Sequence, residues 1–162
     1  MNNVRYNKNI PNWCTNTLKV KGEEKILQKF KKKAQNKKNK LSLTKFLPLP
    51  KGLEGTQSPP DKKKKIQNLA LKLKYGTDNW YDWAIKNWGI KWDIKCEFMD
   101  NNEDELIYEF DSPWGPPLEG FRQISKKYPK LVFFLDYDEP GMAFKGISKM
   151  QKGKLEDHCI NY

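Results

Sequence analysis

Histidine and arginine are almost missing from this chain of 162 residues, which has one His (His158) and two Arg (Arg5 and Arg122). A single histidine excludes a His-based metal triad and any two-His mechanism. Cysteine is scarce too. Cys14, Cys96 and Cys159 are odd in number, lie far apart and form no Cys-x-x-Cys, which excludes a zinc ribbon and a thioredoxin-like motif. They read as reduced thiols. Neither a GxGxxG nor a GxxxxGK[S/T] loop occurs, so nucleotide hydrolysis by a standard P-loop has no support, and HExxH is absent as well. No apolar run approaches the ~20 residues that span a bilayer. Met1 to Asn12 holds Asn, Lys and Arg without an apolar stretch, so no secretory signal is expected. These absences predict a cytoplasmic protein without metal, cofactor or membrane partner.

Aromatic residues are well represented. Six Trp, seven Tyr and eight Phe can supply a core, which argues against disorder. Charge is abundant and uneven. The net charge is +11, but residues 1–75 hold 20 Lys/Arg against 4 Asp/Glu, and residues 76–162 hold 11 against 16. Such asymmetry points to a polyanionic partner for the first half. Lys29 to Lys40 (KFKKKAQNKKNK) has seven lysines in twelve positions, and Lys62 to Lys65 are consecutive. An AT-rich genome also writes Lys and Asn on solvated surfaces. That bias accounts for Lys over Arg, but less well for acids that avoid the first half.

Periodicity sketches the elements. Trp13 to Lys21 alternates as a strand with one wet face. Glu23 to Asn36 reads as a helix with Ile26, Leu27, Phe30 and Ala34 on one stripe. Leu41 to Leu47 reads as a second extended segment, stopped by Pro48 and Pro50. Lys51 to Asp61 reads as a mobile loop. Asp61 is a candidate N-cap for a helix to Tyr75 with Ile66, Leu69, Ala70 and Leu73 inward. Thr77 or Asp78 is a candidate cap for the next helix, where Trp80, Trp83, Ala84 and Trp88 share a face and Gly89 closes it.

Trp92 to Met99 and Glu105 to Asp111 alternate around the turn residues Asp100-Asn101-Asn102, which predicts a hairpin. Trp92, Ile94, Cys96 and Phe98 would face one way in its first strand, and Leu106, Tyr108 and Phe110 in its second. A helix with Leu118, Phe121 and Ile124 inward ends at Pro129. Leu131 to Tyr137 is apolar on both faces and predicts a central strand covered on both sides. Ala143 to Met150 and Lys154 to Ile160 predict a closing hairpin around Gln151-Lys152-Gly153. The sum is an α+β chain of one domain, residues 1–162. Its core is the split β-α-β-β-α-β arrangement of ferredoxin-like sheets, with a helical pair inserted at 51–90 and a C-terminal β-hairpin.

Several stretches resemble a known family. They are Asn12-Trp13-Cys14-Thr15-Asn16, Leu47-Pro48-Leu49-Pro50, Tyr81-Asp82-Trp83, Asn87-Trp88-Gly89, Lys91-Trp92-Asp93 and Ser112-Pro113-Trp114-Gly115-Pro116-Pro117. Tyr128-Pro129 and the segment Gly141 to Gly146 complete the pattern. The likeness spans residues 12–146 and is to the YubB-type ferredoxin-like family of phages, plasmids and other mobile elements. Ile90 departs from the family pattern, which usually has Thr there. The resemblance implies the fold and a mobile-element origin in a bacterial host, but no agreed activity, cofactor or catalytic residue.

The residues suggest three function classes. The first is a non-enzymatic binder or inhibitor of a host nucleic-acid machine, a counter-defence protein of the anti-CRISPR type. Its docking surface would be Lys31, Lys32, Lys33, Lys37, Lys38 and Lys62, Lys63, Lys64, Lys65. The Lys51–Asp61 loop could bring the two runs together. The second is a weakly specific nucleic-acid-binding protein serving maintenance or transfer of the element. Lysine makes point-charge contacts with phosphate and lacks the bidentate base reading of Arg. The third is a carboxylate-dependent enzyme acting on nucleotides or nucleic acid. It would draw on Asp100, Glu103, Asp104 and Glu105 at the hairpin tip, or on Asp136, Asp138 and Glu139.

The expectation is of no enzyme and no catalytic residue. Cys159 beside His158 fails as a nucleophile–base pair, because strand neighbours point to opposite faces. Asp82 and Asp93, lodged among tryptophans, are expected to cap backbone or accept indole N–H bonds. Trp88, Trp92 and Trp114 are either core or, if exposed, an aromatic platform for bases or a protein partner.

Overall fold

The computed structural model describes residues 11–162, so Arg5 and the absence of a signal core before residue 11 lie outside the described residues. One six-stranded sheet organises the chain, in the order β2-β3-β1-β4-β5-β6. The strands are β1 (Trp13–Lys21), β2 (Lys95–Asn101), β3 (Glu105–Pro113), β4 (Val132–Glu139), β5 (Phe144–Gln151) and β6 (Lys154–Asn161). The helices are α1 (Glu24–Ala34), α2 (Lys65–Tyr75), α3 (Trp80–Trp88) and α4 (Leu118–Lys127). Every neighbouring pair of strands is antiparallel. The first four strands with α1 and α4 form the ferredoxin-like core, and β5 and β6 widen it beyond β4.

Alternation decides which face the helices cover. Cys14, Leu18 and Val20 of β1, Leu106, Tyr108 and Phe110 of β3, and Phe133, Leu135 and Tyr137 of β4 are buried. Leu27, Phe30 and Ala34 of α1 and Phe121 and Ile124 of α4 close over them. Phe30 sits at the centre, stacked on Phe46 at 5.0 Å and edge-on to Tyr128 and Phe133. Each such side chain removed from water contributes roughly 1.5–3 kcal/mol. The opposite face of the sheet carries no helix among the described residues.

Five expectations change. Leu41 to Leu47 is not a strand: Leu43–Lys45 is a short 3-10 turn. The Asp93 carboxylate causes it, accepting from the Leu43 backbone N–H (2.7 Å) and from the Ser42 and Thr44 hydroxyls. Leu41, Leu43 and Leu47 are buried on one side of that turn. The Lys51–Asp61 segment holds a second 3-10 turn, Lys51–Leu53, anchored by the fully buried Leu53.

The third change is at α2, which begins at Lys65 and not beside Asp61. The Asp61 carboxylate accepts from the Lys63 backbone N–H (2.9 Å) in a separate turn before the helix. The expected inward face of α2 points outward, with Ile66 87% and Leu73 81% exposed. Leu71 and Tyr75 are the residues that pack on the core. Fourth, α3 is capped by Asn79 in place of Thr77 or Asp78, its side-chain oxygen accepting from the Asp82 N–H at 2.9 Å.

Last, β4 is central but covered on one face only. Its burial alternates, and Phe134 is exposed. Ile90, where the resembled family usually has Thr, is a core residue here. No helix among the described residues is long and apolar enough to cross a membrane.

Candidate functional site

The helix-free face of the sheet forms a groove of about 640 Å³. The pleat places its lining. In β1, Trp13, Thr15 and Thr17 alternate with buried Cys14, Asn16 and Leu18, and so point to the open side. Register then aligns the carboxylates. Asp111 of β3 and Asp138 of β4 flank Thr15, and Glu109 and Asp136 flank Thr17. Carboxylates across β1 therefore stand about 10 Å apart, two strand spacings.

One aromatic of the groove was hidden by the periodic reading. A bulge between Lys95 and Phe98 breaks the alternation of β2. Ile94 and Cys96 stay buried, but Phe98 turns to the open face and joins Trp13 and Trp92 along the groove. The extra residue of a bulge reverses the face of everything after it. Sequence reasoning also missed Trp13. The strand's own alternation could have found it, because Trp13 shares parity with Thr15 and Thr17.

Electrostatics separate the groove's carboxylates into used and unused groups. Glu97 is held below the usual carboxylate range by Lys95, whose ammonium pairs with it. Asp138 accepts from the Tyr162 hydroxyl at 2.7 Å. Glu109, Asp111 and Asp136 have no ion pair or side-chain hydrogen bond among the described residues. The Lys91 ammonium lies 4.8 Å from the Trp92 ring centroid, a cation–π contact at the rim.

The three predicted tryptophans do not assemble into a platform. Trp88 is core: it is 6% exposed, donates its indole N–H to the Leu47 carbonyl at 2.9 Å, and packs edge-on to Trp83. Trp92 is exposed and lines the groove. Trp114 is 52% exposed, sits beyond the end of β3 at φ 69°, and is not part of the groove lining. A positive φ is uncommon for a bulky residue. Here the Trp114 N–H donates to the Asn12 carbonyl (2.8 Å), and the Ser112 hydroxyl donates to the Gly115 carbonyl (2.7 Å), which together hold the turn.

The predicted lysines lie elsewhere. Lys31, Lys32 and Lys33 form the last turn of α1. Lys31 donates to the Asn101 side chain at 2.8 Å. Lys37 and Lys38 ride on a loop that covers the β2 edge. The Lys40 N–H donates to the Cys96 carbonyl (2.8 Å), and the Asn39 side chain bonds Ile94 and Cys96. Lys62 to Lys65 lie exposed at the start of α2. No hydrogen bond or ion pair joins the two runs among the described residues.

The remaining candidates resolve into local roles. Asp82 accepts from the Asn79 side-chain amide at 2.8 Å, and Asp93 caps the Leu43–Lys45 turn; neither meets an indole N–H. Buried Glu139 accepts from the Gly141 and Met142 backbone N–H groups. Glu105 pairs with Lys21 at 3.1 Å. His158 faces the open side of the sheet, while Cys159 pairs opposite Gly146 on the other side. Burial first, then nearby Glu139, pushes the Cys14 thiol up to about 12, and burial raises Cys96 to about 11, so both stay protonated at neutral pH. No group of three or more His, Cys, Asp or Glu is placed to hold a metal ion among the described residues.

Comparison with known proteins agrees with this architecture. No curated protein matches the chain by sequence. The fold is similar to the crystal structure of a protein api92 from Yersinia pseudotuberculosis, with a TM-score of 0.57 over 94% of this chain and 98% of that one. At 10% identity that likeness speaks for the fold alone. The segment that runs from α3's last residue to β6, residues 88–161, matches the family described as the ferredoxin-like domain in Api92-like protein.

Proposed function

We propose that this is a non-enzymatic binding protein, an accessory protein of mobile elements of the YubB type, working in the cytoplasm of a bacterial host. In this reading it docks through its lysines on the polyanionic component of a host nucleic-acid machine and obstructs it. One observation carries the reading. Lys31, Lys32, Lys33, Lys37, Lys38 and Lys62 to Lys65 have no carboxylate partner among the described residues, although the chain forms ion pairs elsewhere. Only Lys31 is engaged among the described residues, by the neutral Asn101 side chain, so these charges are available to phosphates. Glu109, Asp111 and Asp136 stand on the open sheet face, whereas the lysines sit on α1, the β2-edge loop and the entry of α2.

Counterion release makes the test quantitative. RNA and DNA binding should weaken steeply between low and physiological salt, with a slope of about −0.7 per phosphate contact for single strands. Changing Lys62, Lys63, Lys64 and Lys65 to Gln should flatten that slope. Absent binding at low salt, or an unchanged slope in the variant, would overturn direct contact by this surface.

A further inference from the structure

Among the described residues, two surfaces of this molecule lack an intramolecular partner, and the acids of one match the lysines of the other. The first is the open sheet face. Glu109, Asp111 and Asp136 stand there unpaired on either side of β1, beside the exposed apolar side chains Phe98, Phe134 and Ile147; Lys95 is taken up by Glu97, and Lys19 and Lys149 flank Phe134 in register. The second is the outer side of α2. Ile66, Leu69, Ala70 and Leu73 recur there at helical spacing, all exposed, and Lys62 to Lys65 lead into them. A stripe of this kind normally faces a core. A nucleic-acid backbone would satisfy the lysines but leave these aliphatic side chains in water. An acidic surface with apolar ground between its charges satisfies both.

The chain cannot close these surfaces on each other within one molecule. Tyr75 packs against Gly52, and Lys72 pairs with Asp78, which fixes α2 to the second 3-10 turn and the start of α3. α3 in turn packs on α4, and α4 covers the other face of the sheet. A second copy meets no such restriction. We propose that α2 of one copy docks on the open sheet face of another. Lys62 to Lys65 then oppose Glu109, Asp111 and Asp136, and Ile66, Leu69 and Leu73 lie on Phe134 and Ile147, which are neighbours on β4 and β5.

The contact is head-to-tail. Each copy keeps one free α2 and one free sheet face, so association continues into rings or chains unless the rotation closes at two. Its polar part is exposed to salt, so high ionic strength weakens it. The inference shares the α2 lysines with the proposed function but does not require nucleic acid, and polyanions compete with it for those lysines.

Sedimentation velocity on the full chain tests it, over a wide concentration range at low and high salt. Wild type should grow in mass with concentration at low salt and revert towards monomer at high salt. The variant K62Q/K63Q/K64Q/K65Q and the variant E109K/D136K alter exposed side chains only, and unchanged circular dichroism melts confirm their folding. Each alone should associate about tenfold or more weakly. Mixed, they should form a dimer that stops growing, because only one matched contact survives. Wild type that stays monomeric at low salt overturns the proposal, even if a lysine-rich peptide binds the sheet face. So does a mixture that stays monomeric while wild type associates, because the one matched contact left between the variants then fails to form, and so do variants that each associate as wild type does, because the contact then lies elsewhere. Nucleic-acid binding by E109K/D136K separates the readings. If it persists while association is lost, the sheet face serves self-association and the lysines serve both. If wild type associates as predicted but neither it nor E109K/D136K binds nucleic acid, the proposed function fails and this inference stands.

Discussion

Trp88 and Trp92 are four positions apart and meet opposite environments. Trp88 ends α3 under the Leu47–Pro48 turn, where its ring is enclosed and its single N–H donor is satisfied by the Leu47 carbonyl. Trp92 follows the left-handed Gly89 and lies on the groove with Lys91 over its ring. Trp88→Ala should therefore destabilise the protein by about 3–5 kcal/mol, as for other large buried aromatics. Trp92→Ala and Trp114→Ala should cost less, about 1 kcal/mol, because Trp92 keeps 38% and Trp114 52% of its surface in water. Urea unfolding of the three variants checks this. Equal losses at Trp88 and Trp92 would contradict the division. The tryptophans themselves were legible as the chain's sharpest feature. Their partition was not, because glycine-linked segments of two or three residues carry no period from which to read a face.

At the scale of elements, Asp93 ties two distant segments together. Its carboxylate accepts from Leu43 N–H, Ser42 and Thr44 hydroxyls, and Ile94 N–H, joining a 3-10 turn to the entry of β2 across fifty residues of chain. Apolar alternation in Leu41 to Leu47 suggested a strand, yet the carboxylate offers that backbone an acceptor which a strand pairing does not. Asp93→Ala should cost about 2–3 kcal/mol, since hydrogen bonds to a charged acceptor are lost together and buried donors are stranded. Asp93→Asn should recover part of it. Hydrogen exchange at Leu43 is the specific readout, and it should quicken in Asp93→Ala before global unfolding. Unchanged exchange there would remove Asp93 as the organiser of this turn.

The turn of the terminal hairpin, whose β5 pairs with β4, is tied to α4 by polar contacts. Arg122 donates to the Gly153 carbonyl at 3.0 Å, and the Gly153 N–H donates to the Ser125 hydroxyl at 3.0 Å. Glu119 orients Arg122 through a two-pronged ion pair. That guanidinium first, and Gln123 as well, hold the Glu119 carboxyl below its ordinary value of 4.5 against the opposing effect of burial. The pair's contribution is therefore fully present above the ordinary carboxylate range, and is lost as pH falls through the lower folded value. The melting temperature of wild type should exceed that of Glu119→Gln at neutral pH, and the gap should close under acid. A gap that is constant down to about pH 3 would show that the ion pair adds nothing.

At the scale of the whole molecule, the order of strands and helices was determined by the sequence itself. β1, α1, the β2–β3 hairpin, α4, β4 and the closing hairpin all follow from alternation, helical spacing and turn residues that act over a few positions. The charge asymmetry between the halves is likewise a property of the chain. Tertiary structure decided which of those faces has a cover. Phe98 left the core through a bulge set by pairing with β3, and α2 turned Leu71 and Tyr75 inward in place of Ile66 and Leu73. Phe134 stands exposed because both helices of the core pack on the other side of the sheet. An apolar stripe states only that burial is favourable. Whether water is removed from it depends on partners tens of residues away, and those contacts form only when the whole sheet is assembled.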